Sequence, residues 1–236
     1  MLTGLAERSE ILRGLIEFVY PPLCAGCGEY SGNNQTICPI CQARIDWYEE
    51  PIALTPVDFS RNEESAPLSF PLYAAGDYSG PLREAVIQFK FRGVTSVATV
   101  MAERIATQFG EKIERLGPFL LVPIPLHPGR EYVRGYNQAS LLAGALAERL
   151  EAAVDETLIV RVARKRTQAK LKRRQRASNI RGVFECVAEP PSAEQCERVI
   201  LVDDVITSGQ TVFEARRVLV ANGYQVVGAI SIAHGL

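Results

Sequence analysis

Residues 199–211, VILVDDVITSGQT, constrain the fold more than any other stretch of the chain. Val199 to Val202 run without a polar break, as in a strand covered on both faces, which is the habit of parallel sheets. Asp203 and Asp204 then arrive together. After them come the small or hydroxyl-bearing Thr207, Ser208, Gly209, Gln210 and Thr211, and then an apolar helical pattern. Backbone amides of a tight loop that opens a helix converge on one point, and small side chains let a phosphate reach them. The stretch therefore reads as strand, acid pair, phosphate cradle and helix. It lacks the glycine-lysine pattern of a nucleotide-triphosphate loop and the three glycines of a dinucleotide fold.

The rest of the chain supplies a sheet for this strand. From about residue 72 onward strand-like and helical patterns alternate: LYAAGDYSG, PLREAVIQFKFRG, a helix over 95–109, FLLVPIP, NQASLLAGALAERL with Asn137 as its N-cap, TLIVRV, ERVILVDDV, TVFEARRVLVANG stopped by Gly223, and YQVVGAISIA. That order predicts an α/β fold, a mainly parallel sheet flanked by helices, with its ligand site beyond the carboxyl ends of the strands. Residues 51–70 carry three prolines and little periodicity and are expected to be a linker. The expected organisation is a helix plus a cysteine knuckle over 1–50, the linker over 51–70, and the main domain over 71–236. The first helix is amphipathic, with Leu5, Leu12, Leu15, Ile16 and Val19 toward one face and Pro21 and Pro22 ending it. No apolar run is long enough for a membrane span, and charges interrupt the N-terminal stretch. A cytoplasmic protein without membrane insertion is expected.

Four of the six cysteines form two C-x2-C pairs, Cys24 with Cys27 and Cys38 with Cys41, separated by ten residues. Each pair can wrap one side of a tetrahedral ion, and Gly26 and Gly28 supply turn freedom. A disulfide framework is the rival, but nothing directs secretion and cytosolic thiols stay reduced. The expectation is structural zinc on a closed site, with Cys186 and Cys196 as ordinary thiols. Charge is distributed just as unevenly. Residues 161–181 carry ten of the 26 basic residues and none of the 27 acids, so the segment is either solvated or made for phosphate.

Two adjacent carboxylates before a phosphate cradle need a cation or a polyhydroxylated partner. A ribose 5-phosphate offers vicinal hydroxyls and a phosphate together, so Asp203 and Asp204 are expected to grip the diol while Val205, Thr207, Ser208, Gly209, Gln210 and Thr211 hold the 5-phosphate. VILVDDVITSGQT resembles the phosphoribosyl pyrophosphate signature of type I phosphoribosyltransferases. The knuckle, VPIPLHPGREYVRGYNQA, RTQAKLKRRQRASNIRGVF and the signature, in that order, resemble the ComF family of bacterial competence proteins over nearly the whole chain. That resemblance implies a type I phosphoribosyltransferase-like domain that binds phosphoribosyl pyrophosphate with Mg2+. It also implies a pyrophosphate loop containing Leu126, His127, Arg130 and Arg134, and a basic flap containing Lys170, Arg173 and Arg176.

Three roles fit these residues. The chain could handle incoming single-stranded DNA beside other competence proteins, as the resemblance implies. It could be a pentosyl-transferring enzyme acting on an amine or base, through Asp203 and Asp204. It could be a non-catalytic sensor of the sugar phosphate. A single-strand binder needs aromatic platforms near its cations; the basic segment has none, which leaves Tyr132 and Tyr136, or Trp47 and Tyr48 beside the knuckle. Capping its own turn is an alternative role for His127, and Lys90 and His234 have only weak functional arguments.

Overall fold

A computed structural model describes residues 21–32, 35–55, 69–162, 182–187 and 197–235. The expected first helix, the basic flap residues and Cys196 lie outside these residues. Six strands form the main sheet: β1 (Ile52–Leu54), β2 (Phe70–Asp77), β3 (Leu120–Pro123), β4 (Ala153–Val154), β7 (Arg198–Ile206) and β8 (Gln225–His234). Their spatial order is β1, β2, β8, β7, β3, β4, and every neighbouring pair is parallel except β1 with β2. The edge strand β1 thus falls inside the segment expected to be a linker.

The helices are α1 (Pro39–Gln42), α2 (Gly80–Phe91), α3 (Ser96–Glu114), α4 (Pro128–Arg134), α5 (Gln138–Leu150) and α6 (Gln210–Ala221). In α3 the residues Val97, Met101, Ile105, Phe109 and Ile113 recur every fourth position, and all five are at most 1% exposed, so one stripe of the helix carries its attachment to the sheet. That stripe extends the expected helix from residue 109 to Glu114. Asn137 caps α5 as its sequence predicts, its Oδ1 accepting from Ala139 N at 3.0 Å while its Nδ2 donates to Ile124 O at 3.1 Å. Gly223, at φ 86°, follows α6 in the left-handed conformation that a helix stop requires.

The two faces of the sheet have separate cores. On one face α2, α3 and α5 cover Tyr73, Ala75, Ile200, Val202, Ile230 and Ile232. On the other, α6 covers Leu72, Ala74, Val199 and Leu201, together with β5 (Ile159–Arg161) and β6 (Phe184–Cys186). These last two strands pair antiparallel in a sheet of their own. TLIVRV thus supplies the strand its sequence predicts, β5, but it leaves the main sheet to make the hairpin-like ribbon that brackets the basic segment.

The knuckle is joined to the first face. Cys24, Ala25, Ile37, Cys41 and Ile45 are buried in the same core as α2 and α3. Residues 46–48 run along β2: Tyr48 N donates to Ala75 O at 3.0 Å and Asp77 N donates to Asp46 O at 2.9 Å. Trp47 donates its ring N–H to Gln42 O at 2.9 Å and lies under the Arg104 guanidinium at 5.0 Å. The two aromatics beside the knuckle therefore pack it onto the main sheet. Gly76 allows the close approach, since a Cβ there would stand 2.6 Å from Asp46 O. Gly76→Ala should thus destabilise the fold by about 1–3 kcal/mol, the range for inserting a methyl group into filled space. Gly110, inside α3, is roomier: the nearest atom a Cβ would meet there is Leu150 Cδ2, at 4.0 Å. Gly110→Ala should stabilise by about 0.5–1 kcal/mol. Denaturant midpoints of the two variants check both signs.

Candidate functional site

The acid pair sits near the carboxyl end of β7, and strand alternation sends its two members apart. Side chains along a strand point to opposite faces in turn. Val199 and Leu201 belong to the α6 face and Ile200 and Val202 to the α2 face, so Asp203 continues the first series and Asp204 the second. Asp204 is buried, at 7% exposure, and its Oδ1 meets Lys90 Nζ at 2.9 Å. Asp203 is half-buried and lines a pocket of ≈ 190 Å³ with Val205, Thr207, Ser208, Gly209, Gln210 and Thr211. Seven of the eight residues expected at the ribose 5-phosphate are therefore gathered on one cavity, and Asp204 is turned toward a lysine instead.

The cradle's geometry follows from Gly209. It holds φ 70° at the start of α6, and a Cβ there would meet Phe213 Cε2 at 3.1 Å and Leu54 Cδ1 at 3.3 Å. No larger residue suits both that dihedral and that space. Gln210, Thr211 and Val212 of the first turn of α6 line the same cavity as Asp203, which sets a helix N-terminus, a position suited to an anion, and an acid on one cavity. His234, at the end of β8, contacts Ile206 O through Nδ1 at 2.8 Å and so braces the strand end from which the loop departs.

Cations surround the acids from several elements. Burial first, then the charge of Asp204, pushes the Asp203 carboxyl well above the ordinary carboxylate range; Asp204 N, Lys90 and Arg161 pull the other way. Arg161, at the end of β5, stands over its cross-strand partner Phe184 at 5.5 Å. Burial and then the charge of Arg130 lower its pKa, whereas Asp203 raises it. The ribbon is fixed at the end that carries Arg161, where Gly182 N donates to Glu214 Oε1 at 2.6 Å. Glu214 is only 2% exposed and also accepts two bonds from Arg217, at 2.9 and 2.8 Å.

Of the four residues expected in the pyrophosphate loop, Leu126 and His127 lie between β3 and α4 and Arg130 and Arg134 lie in α4, with different attachments. Leu126 is half-buried. His127 Nδ1 accepts from Gly129 N at 3.2 Å, a turn-capping bond. Arg130 is exposed. Arg134 donates to Gln138 Oε1 at 3.0 Å and lies 4.9 Å over the Phe91 ring. Tyr136 is committed as well: it stacks on Phe89 at 6.0 Å and its hydroxyl donates to Phe89 O. Tyr132 remains 92% exposed.

Lys90 and Arg161 are the residues whose place at the site the sequence conveys least. Lys90 ends an ordinary amphipathic helix and Arg161 opens a dense run of bases. Neither has a local pattern that marks it, because each reaches the acids across elements far apart in sequence.

The knuckle brings Sγ of Cys24, Cys27, Cys38 and Cys41 within 4.8 Å of one another. Four thiolates about 2.3 Å from a tetrahedral zinc lie about 3.8 Å apart, and Cys27 Sγ to Cys38 Sγ is 4.0 Å, so the cluster fits the ion. Two backbone N–H groups already point at one sulfur: Gly26 N at 3.3 Å and Cys38 N at 3.2 Å from Cys24 Sγ. Burial opposes ionisation of Cys24, but the backbone donors of Cys38, Gly26 and Cys27 outweigh it and bring its thiol down to about 6. Burial and the neighbouring thiols push Cys41 the other way. Four protein sulfurs leave no open coordination position, so the centre is structural.

Comparison with known proteins agrees with this assignment. Residues 15–53 match the family described as a double zinc ribbon domain. The DNA utilization protein YhgH of Salmonella typhimurium is 30% identical over 208 residues, covering 87% of each chain. Competence protein F of Haemophilus influenzae is 26% identical over 224 residues, covering 94% of each. Competence protein ComFC of Bacillus subtilis is 33% identical over 147 residues, 62% of this chain and 56% of that one. A hypoxanthine phosphoribosyltransferase from Staphylococcus aureus superposes on 59% of this chain and 62% of its own at a TM-score of 0.33 and 11% identity, too loosely to bear an inference.

Because Cys24 and Cys41 are buried in the core shared with α2 and α3, zinc removal should loosen more than the knuckle. Stripping the metal with a strong chelator, or replacing Cys41 by Ser, should lower the melting temperature of the whole fold. Zinc content by mass spectrometry and calorimetric melting check this; metal-free protein with unchanged melting would refute the shared core.

Proposed function

This chain belongs to the ComF family of competence proteins, and from that premise we propose that its pocket at the end of β7 binds phosphoribosyl pyrophosphate with Mg2+ as part of the handling of incoming single-stranded DNA in the cytoplasm. One observation supports this most directly: Asp203 and the first turn of α6 line one cavity together with Thr207, Ser208 and Gly209. A sugar phosphate suits both. Its phosphate accepts from the loop and helix N–H groups, and its hydroxyls donate to Asp203. Arg161, whose charge acts on Asp203 from β5, and Arg130, whose charge acts on Arg161 from α4, would supply positive charge to a pyrophosphate.

The residues also suit a metal that arrives with the substrate. Among the described residues the acids and histidines form no cluster of three, the four cysteines being the one such group. Mg2+ is held in most phosphate sites by substrate oxygens, waters and one or two carboxylates, and Asp203 is the carboxylate open to the pocket. When bound, the ion would neutralise charge on the departing pyrophosphate. This chain's own part is to hold the ribose by Asp203, the 5-phosphate by the loop, and the leaving group by Arg130 and Arg161. No nucleophilic side chain is required for such a transfer, since catalysis rests on orientation and on cations at the leaving group.

Calorimetric titration of phosphoribosyl pyrophosphate with Mg2+ tests the binding. Asp203→Asn should weaken it by about 1.5–3 kcal/mol, the usual worth of a hydrogen bond to a charged group, without altering the melting curve by more than the loss of one charge. Unchanged affinity would overturn the site. Pyrophosphate release in the presence of amines, bases or single-stranded DNA separates an enzyme from a binding protein: release that depends on an acceptor means turnover, and saturable binding without release means a sensor or DNA-handling role.

Nucleic acid would meet the same end of the sheet. Tyr132 is almost fully exposed on α4, and Phe91, under Arg134, is 66% exposed. Each exposed ring offers a surface on which a base can stack, worth about 1–3 kcal/mol. Tyr132→Ala should reduce single-stranded DNA affinity by that amount in a fluorescence titration at fixed salt, leaving sugar-phosphate binding intact. An unchanged DNA affinity would remove α4 from the interface.

A further inference from the structure

We propose that Lys90 is a built-in counter-ion of the acid pair, so that the site holds a ribose 5-phosphate group without a divalent cation and needs metal only for a pyrophosphate. The inference rests on the reading of the pocket as a ribose 5-phosphate site and assigns a charge role to a residue outside the signature.

The geometry begins with the ion pair. Lys90 Nζ lies 2.9 Å from Asp204 Oδ1, with side chains 19% and 10% exposed. Two adjacent carboxylates taken out of water repel each other, and each costs solvation free energy unless a cation lies close by. Lys90 supplies that cation from α2, on the face of the sheet away from the pocket. Its position is fixed by its neighbour. Phe89 is fully buried, stacks on Tyr136 and receives the Tyr136 hydroxyl on its carbonyl. The last turn of α2 is therefore clamped, and the ammonium is held to Asp204 by more than its own flexible stem.

The consequence concerns the metal. A divalent ion held by an acid pair needs oxygens from both carboxylates directed to one point. Here strand alternation sends Asp203 into the pocket and Asp204 to Lys90. Among the described residues no third acid or histidine gathers with them. The protein therefore offers an incoming ion one carboxylate, while a lysine already supplies the charge compensation that a resident ion would provide. A sugar monophosphate has one phosphate, which the loop and helix N–H groups can hold. A pyrophosphate adds charge beyond that cradle and brings its own ion.

The test is calorimetric titration of ribose 5-phosphate into zinc-loaded full-length protein, in resin-treated buffer with and without millimolar Mg2+. The expected dissociation constant changes by less than about threefold between the two, whereas Lys90→Gln should bind only with Mg2+ or at least about tenfold more tightly with it. Should that variant fold poorly, as judged by circular dichroism and zinc content, Lys90→Gln combined with Asp204→Asn removes both charges and should restore metal-independent binding. Magnesium-dependent binding by the unaltered protein would overturn the proposal while leaving the pocket's assignment standing. Metal-independent binding by a folded Lys90→Gln variant would also overturn it. Ribose 5-phosphate that binds under neither condition would instead remove the assignment of the pocket, and the proposal with it.

Discussion

Side-chain alternation along β7 is the constraint on which the site depends. The strand is hydrogen-bonded to β8 on one side and β3 on the other, so its register cannot slip without turning every apolar residue to the wrong face. Val199 and Leu201 fix one face, Ile200 and Val202 the other, and all four are fully buried. The two acids that follow inherit this register. One is delivered to the cavity in front of α6 and the other to the end of α2. A chemical division of labour between identical side chains thus originates in the packing of four aliphatic residues upstream of them.

What could be read from the sequence is what local chemistry encodes. The strand, cradle and helix of residues 199–221 were legible because an unbroken apolar run, a glycine needing positive φ and a helical period follow one another without interruption. Asn137 was legible as a cap, and Gly223 as a stop, for the same reason. The two cysteine pairs were legible because C-x2-C spacing is a property of a single turn. Lys90 and Arg161 were not, since what places them near the acids is the crossing of α2 and of the β5–β6 ribbon over the sheet. Nor was the role of Gly76, an unremarkable glycine until residues 46–48 lie along it. His127 and Tyr136 are the converse case. Both sit in a stretch rich in functional residue types, and both hold structure, one capping a turn and the other clamping the end of α2.

The knuckle shows how a small zinc module can contribute to a site that it does not touch. The Cys24 sulfur is set by backbone donors from both cysteine pairs, and the knuckle's apolar residues are buried under α2 and α3. Gly26 is held so closely that a Cβ would stand 3.0 Å from Cys41 Sγ and 3.1 Å from Pro81 Cβ. Pro81 is in the first turn of α2, and Lys90 is in its last. Zinc therefore fixes one end of the helix whose other end presents the ammonium to Asp204. Metal binding and fold stability are linked in such modules, and here the linkage continues along a helix of 12 residues to the acid pair.

Asp203 makes the pocket costly to leave empty. Its carboxyl is held above the ordinary range by burial and by the charge of Asp204, so the folded state retains a proton that the unfolded chain gives up. The sign follows from linkage: a raised carboxyl reduces stability as pH climbs from the ordinary carboxylate range through the raised value, and the reduction is complete above it. At neutral pH the fold thus bears part of an ionisation penalty at a position where apolar side chains would pack without one. A ligand that brings hydroxyl donors or a cation to Asp203 relieves that penalty and releases the proton. The same burial that weakens the empty site is what makes the donors count when it is filled, because a hydrogen bond to a desolvated carboxylate is stronger than one in water. At Asp204 the cation comes from the fold itself, Lys90 Nζ at 2.9 Å, so adjacent positions of one strand give the two acids different surroundings.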